Sequence, residues 1–284
     1  MRQRWHLVLL PSLAFSFLLI AASQYIFLRG SFYADLRLGR LGNALTLQNY
    51  HRIFSDTFYL SSLWLTVRLS ALVVLFTLIM GYPVAYMIAR MRSHWSMVLL
   101  ALIVASSFVT IVIKVLGLVI LFSTNGHFNR LMVDIGLFDE PYALLGSVSG
   151  VVIGLMHFTM GFLVLLLYGV IQTIPRSLEE AAHILGASRW RVFLRVVIPL
   201  SLPGVIASAL IVFNLSMGAF TSAALIGAGK ILTLPVLIQR TVILDTKYAM
   251  GATLSAVLLI AGVLINLLSI FLVSRLKATR QVTA

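Results

Sequence analysis

Gly227-Ala228-Gly229-Lys230 is the nearest this chain comes to a glycine loop of the kind that cradles phosphate. Such a loop needs a Ser or Thr after the lysine and a further glycine ahead of the pair, and Ile231 and Ala224 stand there instead. Nucleotide binding by that route is excluded. The chain has no cysteine, so neither a disulfide framework nor a Cys-based metal site is available, and its six histidines are scattered without partners at ligand spacing. The acidic residues fall in loops or near the ends of apolar runs, which leaves no buried pair for acid–base catalysis. The patterned polar residues gather instead at 175–203. Ser177 with Glu180 three residues on is a capping-box pair and predicts a helix from Ser177. Gly186 supplies the left-handed position that ends it, and Ser188 caps a second helix running to Pro199. The resulting helix–turn–helix carries Arg189, Arg191 and Arg195, so it belongs on a membrane face, with its turn offered to something in water.

The elements around this stretch are apolar. Hydrophobic residues make up 61% of the 284 positions and charged residues 10%, far from the balance of a soluble domain. A net charge of +13 in such a chain is explained by basic residues flanking membrane spans, and no nucleic-acid motif accompanies it. Six runs are long enough to cross the hydrocarbon layer: 7–28, 60–89, 96–122, 143–171, 200–226 and 252–274. Ala21-Ala22-Ser23 resembles a signal cleavage site, but the first run continues through Tyr25-Ile26-Phe27-Leu28, so an uncleaved first span is expected. Six spans put both termini on one side. Arg2, Arg4, Arg90, Arg92, Arg176, Arg189, Arg191, Arg195, Arg275, Lys277 and Arg280 share a side with only Glu179 and Glu180. The other side sets Arg29, Arg37, Arg40, Arg52, Arg130, Lys230, Arg240 and Lys247 against Asp35, Asp56, Asp134, Asp139, Glu140 and Asp245. The strongly basic side is expected to be cytoplasmic, with the 177–199 loop and both termini inside.

Glu180-Ala181-Ala182, then Gly186, then Val196-Val197-Ile198-Pro199 resembles the cytoplasmic "EAA" loop of bacterial ABC-importer permeases, with Val196 and Ile198 replacing the usual Ile and Leu. Further stretches are similar to the spermidine/putrescine-type branch of that family. They are Leu45-Thr46-Leu47-Gln48-Asn49-Tyr50 with Phe54-Ser55-Asp56, Gly81-Tyr82-Pro83-Val84-Ala85-Tyr86 with Ala89-Arg90, Asp139-Glu140-Pro141, and Leu200-Ser201-Leu202-Pro203-Gly204. The resemblance runs from about residue 45 to the end. It implies an all-α membrane protein of the MetI-like permease fold: a first span with an external segment (1–59), then a five-helix core (60–284) holding the coupling loop at 172–199.

The same resemblance implies a transport subunit with no cofactor of its own, in the inner membrane. Its expected partners are an ABC ATPase dimer, a second permease (related or identical), an extracytoplasmic solute-binding protein and lipid, with no nucleic acid. ATPase coupling would fall to Glu179, Glu180, Ala181, Ala182, Leu185, Gly186, Ala187, Ser188, Arg189 and Pro199, with Leu178 and Trp190 as further apolar contacts. For Glu180, capping and partner contact both stand. Two charges lie inside spans. Arg68 and Lys114 each sit roughly 12 Å from the outer face at 1.5 Å per residue. Both belong on a bundle or aqueous path unless Arg68 snorkels outward or Lys114 is structurally paired. Asn214, Ser216, Thr221 and Ser222 either line a path or hold helices together. A polyamine is the leading solute, although Ala219 stands where the family usually carries an acid, which brings opine, phosphonate and iron-chelate solutes close behind. The competing class, an ion-coupled carrier acting alone, calls for mid-membrane ionisable groups and an inverted repeat, and neither is evident.

Overall fold

The computed structural model describes residues 5–36, 39–137 and 139–282, with side chains from 10 to 271. Arg2, Arg4 and Arg37 therefore lie outside the described residues, as do the side chains of Arg275, Lys277 and Arg280. In chain order, α1 (Trp5–Gly30) leads into a hairpin of β1 (Tyr33–Asp35) and β2 (Leu41–Leu45), then α2 (Gln48–Ser55). Next come α3 (Thr57–Arg90), α4 (Trp95–Phe108), α5 (Ile111–Phe122), α6 (His127–Asp134) and α7 (Val148–Gln172). The helices α8 (Arg176–Ile184) and α9 (Arg189–Val192) precede a π-helical turn, Phe193–Val197, and α10 (Ile198–Met217). The chain closes with α11 (Thr221–Ile226), α12 (Leu234–Gln239), a second π turn at Arg240–Leu244, and α13 (Tyr248–Val282).

Among the described residues, six segments are long and apolar enough to cross a membrane: Leu10–Gly30, Thr57–Arg90, Ile111–Asp134, Val148–Gln172, Arg189–Met217 and Tyr248–Phe271. The number agrees with the expectation, but the boundaries do not all agree. The run expected at 96–122 is two helices, α4 and α5, parted at Val109 and Thr110. The fourteen residues of α4 reach only about 21 Å, short of the roughly 30 Å hydrocarbon core. The third crossing then continues from α5 into α6 through the bend at 123–126. The run expected at 200–226 breaks at Gly218–Phe220 and gains its first turns from the polar stretch, starting at Arg189. Between the last two spans, the stretch expected to be simply external holds the short apolar helix Leu234–Leu244.

The chain divides into two compact units, residues 64–236 and residues 1–63 with 237–284. In the first, α7 is central. Leu163, Val164, Leu167 and Ile171 are all but fully buried, and Val73, Ala85, Val115, Val212 and Ile226 complete the core around them. In lipid, helices gain little from hiding apolar surface and associate through close packing instead. A Cβ on Gly204 would run into Val170, so α10 and α7 approach at backbone distance there. Thr66 of α3 accepts a hydrogen bond from the Leu234 amide at 2.8 Å, and both residues are buried. Thr66 is nine residues into α3, about 14 Å along the helix. The backbone before Leu234 therefore dips into the protein, a path allowed at membrane depth only where protein satisfies its polar groups.

In the second unit the hairpin clasps the start of α13. Tyr33 pairs with Leu45 and Asp35 with Leu41, with an irregularity between them. The carboxylate of Asp35 accepts the amides of Ala249 and Met250, each at 2.8 Å, capping α13 from another part of the chain. Thr253 donates to the Ser31 carbonyl at 3.1 Å, and the hydroxyls of Ser31 and Tyr50 meet at 2.7 Å. Asn49 donates to the Tyr33 carbonyl at 3.0 Å, so Asn49-Tyr50 ties α2 to the hairpin.

Candidate functional site

The polar stretch at 175–199 folds as an elbow, with one departure at each end from the sequence reading. Its first helix starts at Arg176 after Pro175, and no side chain caps it. The Ser177–Glu180 capping box does not form, because Glu180 turns to Arg92 instead, at 3.4 Å. The turn forms as the sequence implies. Gly186 has φ +81°, its amide bonds the His183 carbonyl at 2.9 Å, and the Ala187 amide bonds the Ala182 carbonyl at 3.0 Å. These two bonds are a Schellman motif, which closes the free carbonyls of α8 and requires the left-handed residue. Ser188 then caps α9, accepting the Arg191 amide at 3.4 Å. The second helix does not stop at Pro199. Pro199 has no amide to give to Arg195, and the π turn at 193–197, with the Ile198 amide on the Phe193 carbonyl, absorbs that gap. Elbow and fifth span are one continuous helix from Arg189 to Met217.

The outer surface of the elbow is apolar. Leu185 is 88% exposed, Ile184 87% and Trp190 67%, with Leu178 and Ala181 also outward. Gly186, Ser188, Arg189, Arg191, Arg195 and Pro199 are exposed as well, whereas Ala182 and Ala187 are half-buried. Apolar side chains this exposed on a polar segment are unusual on a surface that faces water alone. Ile184 escaped the sequence reading, although it continues the Leu178–Ala181 face at helical spacing.

The inner side of the elbow is anchored to α3. Glu179 is buried, its Oε1 2.6 Å from Arg90 Nη2 and its Oε2 accepting the Tyr86 hydroxyl at 2.9 Å. The Arg90 contact is ionic rather than a directed hydrogen bond, since Glu179 Oε1 and Arg90 Nε lack hydrogen-bond partners. Arg90 also donates to the Ile174 carbonyl at 3.1 Å, and Arg176 and Gln172 donate to the Ala89 carbonyl at 3.2 and 3.3 Å. Phe193 packs on Tyr82, Tyr86 and Trp190 with ring centroids 5.4, 5.0 and 5.5 Å apart. The partners on α3 escaped the sequence reading, because nothing local links the inner end of one span to a loop so far along the chain.

The residues expected to line a path lie in differing surroundings. Arg68 lies exposed on α3 and Lys114 half-buried near the start of α5. Asn214 is exposed and donates to the Leu210 carbonyl at 2.7 Å, while Ser216 and Ser222 are buried without hydroxyl partners and Thr221 is half-buried.

Residues 80–279 match the family of binding-protein-dependent transport system inner membrane components. The spermidine/putrescine transport system permease protein PotB of Haemophilus influenzae is 30% identical over 249 residues, covering 87% of this chain and 82% of its own. The protein of the same name from Escherichia coli K12 is 33% identical over 215 residues, covering 76% and 78%. The fold is similar to that of a bacterial ABC transporter involved in the import of the acidic polysaccharide alginate, with TM-score 0.79, 20% identity and 95% of each chain covered. It is also similar to the inward-facing MetNI methionine ABC transporter, with TM-score 0.61, 18% identity, and 76% of this chain and 94% of that one covered. With a family match over residues 80–279 and six apolar helices among the described residues, the chain belongs to the family of inner-membrane components of binding-protein-dependent transport systems, the permease subunits of ABC importers.

Proposed function

We propose that this chain forms half of the path of an ATP-driven importer for a small amine-bearing solute, a polyamine or an opine-type compound. A separate ATPase dimer docks on the elbow, a second permease supplies the other half of the path, and a solute-binding protein delivers cargo from outside. The observation that carries this reading is the near-complete exposure of Ile184 and Leu185 at the tip of an otherwise anchored turn. Ala181, Ala182 and Ala187 keep the approach close. Glu180, Gly186, Ser188, Arg189 and Pro199 shape or rim the docking face. ATP binding biases a two-state equilibrium of the spans through that face. The basic residues beside the elbow support a cytoplasmic location for it and for both termini. Arg68, Lys114, Asn214, Ser216 and Thr221 are assigned to the path.

The spermidine/putrescine permeases to which this chain is similar support an amine as cargo. One observation favours a second reading, an anionic solute such as a phosphonate or an iron chelate. Away from the span ends, the described crossings hold Arg68 and Lys114 but no carboxylate, so a polycation must find its counter-charge on the second permease. Glu180→Arg tests the docking. It should abolish co-purification of the ATPase while leaving membrane insertion intact, and unchanged co-purification with unchanged uptake would refute the proposal. Uptake of labelled spermidine against a labelled phosphonate decides the cargo.

A further inference from the structure

The two neighbouring carboxylates of α8 have opposite environments. The Glu180 side chain is 61% exposed and, among the described residues, meets only Arg92, itself 80% exposed, at 3.4 Å. A pair so open to water is screened and slack. Glu179 is held from two sides where water is largely excluded, by Arg90 at 2.6 Å and the Tyr86 hydroxyl at 2.9 Å. Tyr82, Tyr86 and Arg90 stand on successive turns of α3, so one face of that helix meets the elbow and α10 together. At the inner end is the Glu179 pair, in the middle the Phe193 ring, and deepest the Tyr82 hydroxyl, 2.6 Å from that of Ser201.

We infer that Glu179 and Arg90 are positioning residues, an internal strut through which the elbow drives α3, which leaves Glu180 alone of the two carboxylates for the ATPase. The inference rests on the docking proposed above. A lever transmits displacement only through stiff joints. A buried ion pair backed by a cluster of aromatic rings is stiff in a way that a solvated pair is not. With the strut cut, ATPase movement should reach α8 but be lost before α3, so hydrolysis and span movement come apart.

The test uses the purified complex of this chain with its ATPase and a single reporter cysteine replacing Met87 on α3, in a chain otherwise free of cysteine. The readout is the rate of maleimide labelling with and without ATP and vanadate. ATP should change the parent's rate by at least about threefold as the two-state equilibrium shifts, and Glu179→Gln should shrink that change to under about 1.5-fold. If Glu179→Gln does not yield a monodisperse complex, Arg90→Gln with Glu179→Gln takes its place, since it leaves no lone buried charge. Three results overturn the strut: a parent reporter blind to ATP, a strut variant that responds like the parent, or a Glu179→Gln chain that loses the ATPase as Glu180→Arg does. A parent chain that never retains the ATPase instead refutes the docking beneath it.

Discussion

Asp35 shows how much a single side chain can organise when both its oxygens are engaged. Its carboxylate takes the amides of Ala249 and Met250, so the buried first turn of the last span is capped by a residue more than two hundred positions earlier. Removing a cap of this kind costs about 1–2 kcal/mol, and the charge adds to it at a helix N-terminus. Asp35→Ala should therefore lower the melting temperature of the detergent-purified protein by several degrees, with Asp35→Asn in between, and an Ala variant melting with the parent would deny the clasp its role. The contrast with the elbow shows what was legible in the sequence. Gly186 and Ser188 could be read directly, because a left-handed turn and a helix cap depend on residues a few positions apart. Asp35 and Glu179 could not, because their partners are set by tertiary packing. For Glu180 the spacing left capping and partner contact both open, and of the two the cap does not form, because the spacing rule takes no account of Arg92 nearby in space.

Among the elements, α9, the π turn and α10 matter most, since the elbow enters the fifth span without a joint. The sequence reading placed a stop at Pro199, following the rule that proline ends helices. The π turn overrides it by letting the Ile198 amide reach back to the Phe193 carbonyl. A rigid connection carries rotation as well as translation. One alanine inserted between Val192 and Phe193 would turn the elbow by about 100° relative to the span. Such an insertion should abolish ATP-driven uptake while the spans still insert, and wild-type uptake would show that the two helices are not mechanically joined. The same reasoning explains the misread third span. Hydropathy is continuous across 96–122, and the break at Val109 and Thr110 leaves little trace in composition.

For the whole molecule, the absence of cysteine is a practical gift, because every introduced thiol reports on its own position. A cysteine at Leu185 should label only after the cells are permeabilised, and one at Asn43 should label from outside in intact cells. The reverse pattern would invert the proposed orientation and take the elbow away from any ATPase. The number of spans was legible because twenty-residue apolar runs leave few alternatives in a bilayer. Fold class followed from the same constraint, whereas the hairpin at 33–45 and the division into two units did not.

The backbone that dips to Thr66 bears on how such chains are counted. Leu234–Leu244 is eleven residues, about 16 Å of helix, half of what a crossing demands. A stretch of that length adds nothing to the tally of traverses, which stays at the six apolar segments found among the described residues. Any scheme that scored it as a seventh pass would reverse the side assigned to the end of the final helix, so an orientation inferred from basic residues depends on leaving such half-length helices uncounted.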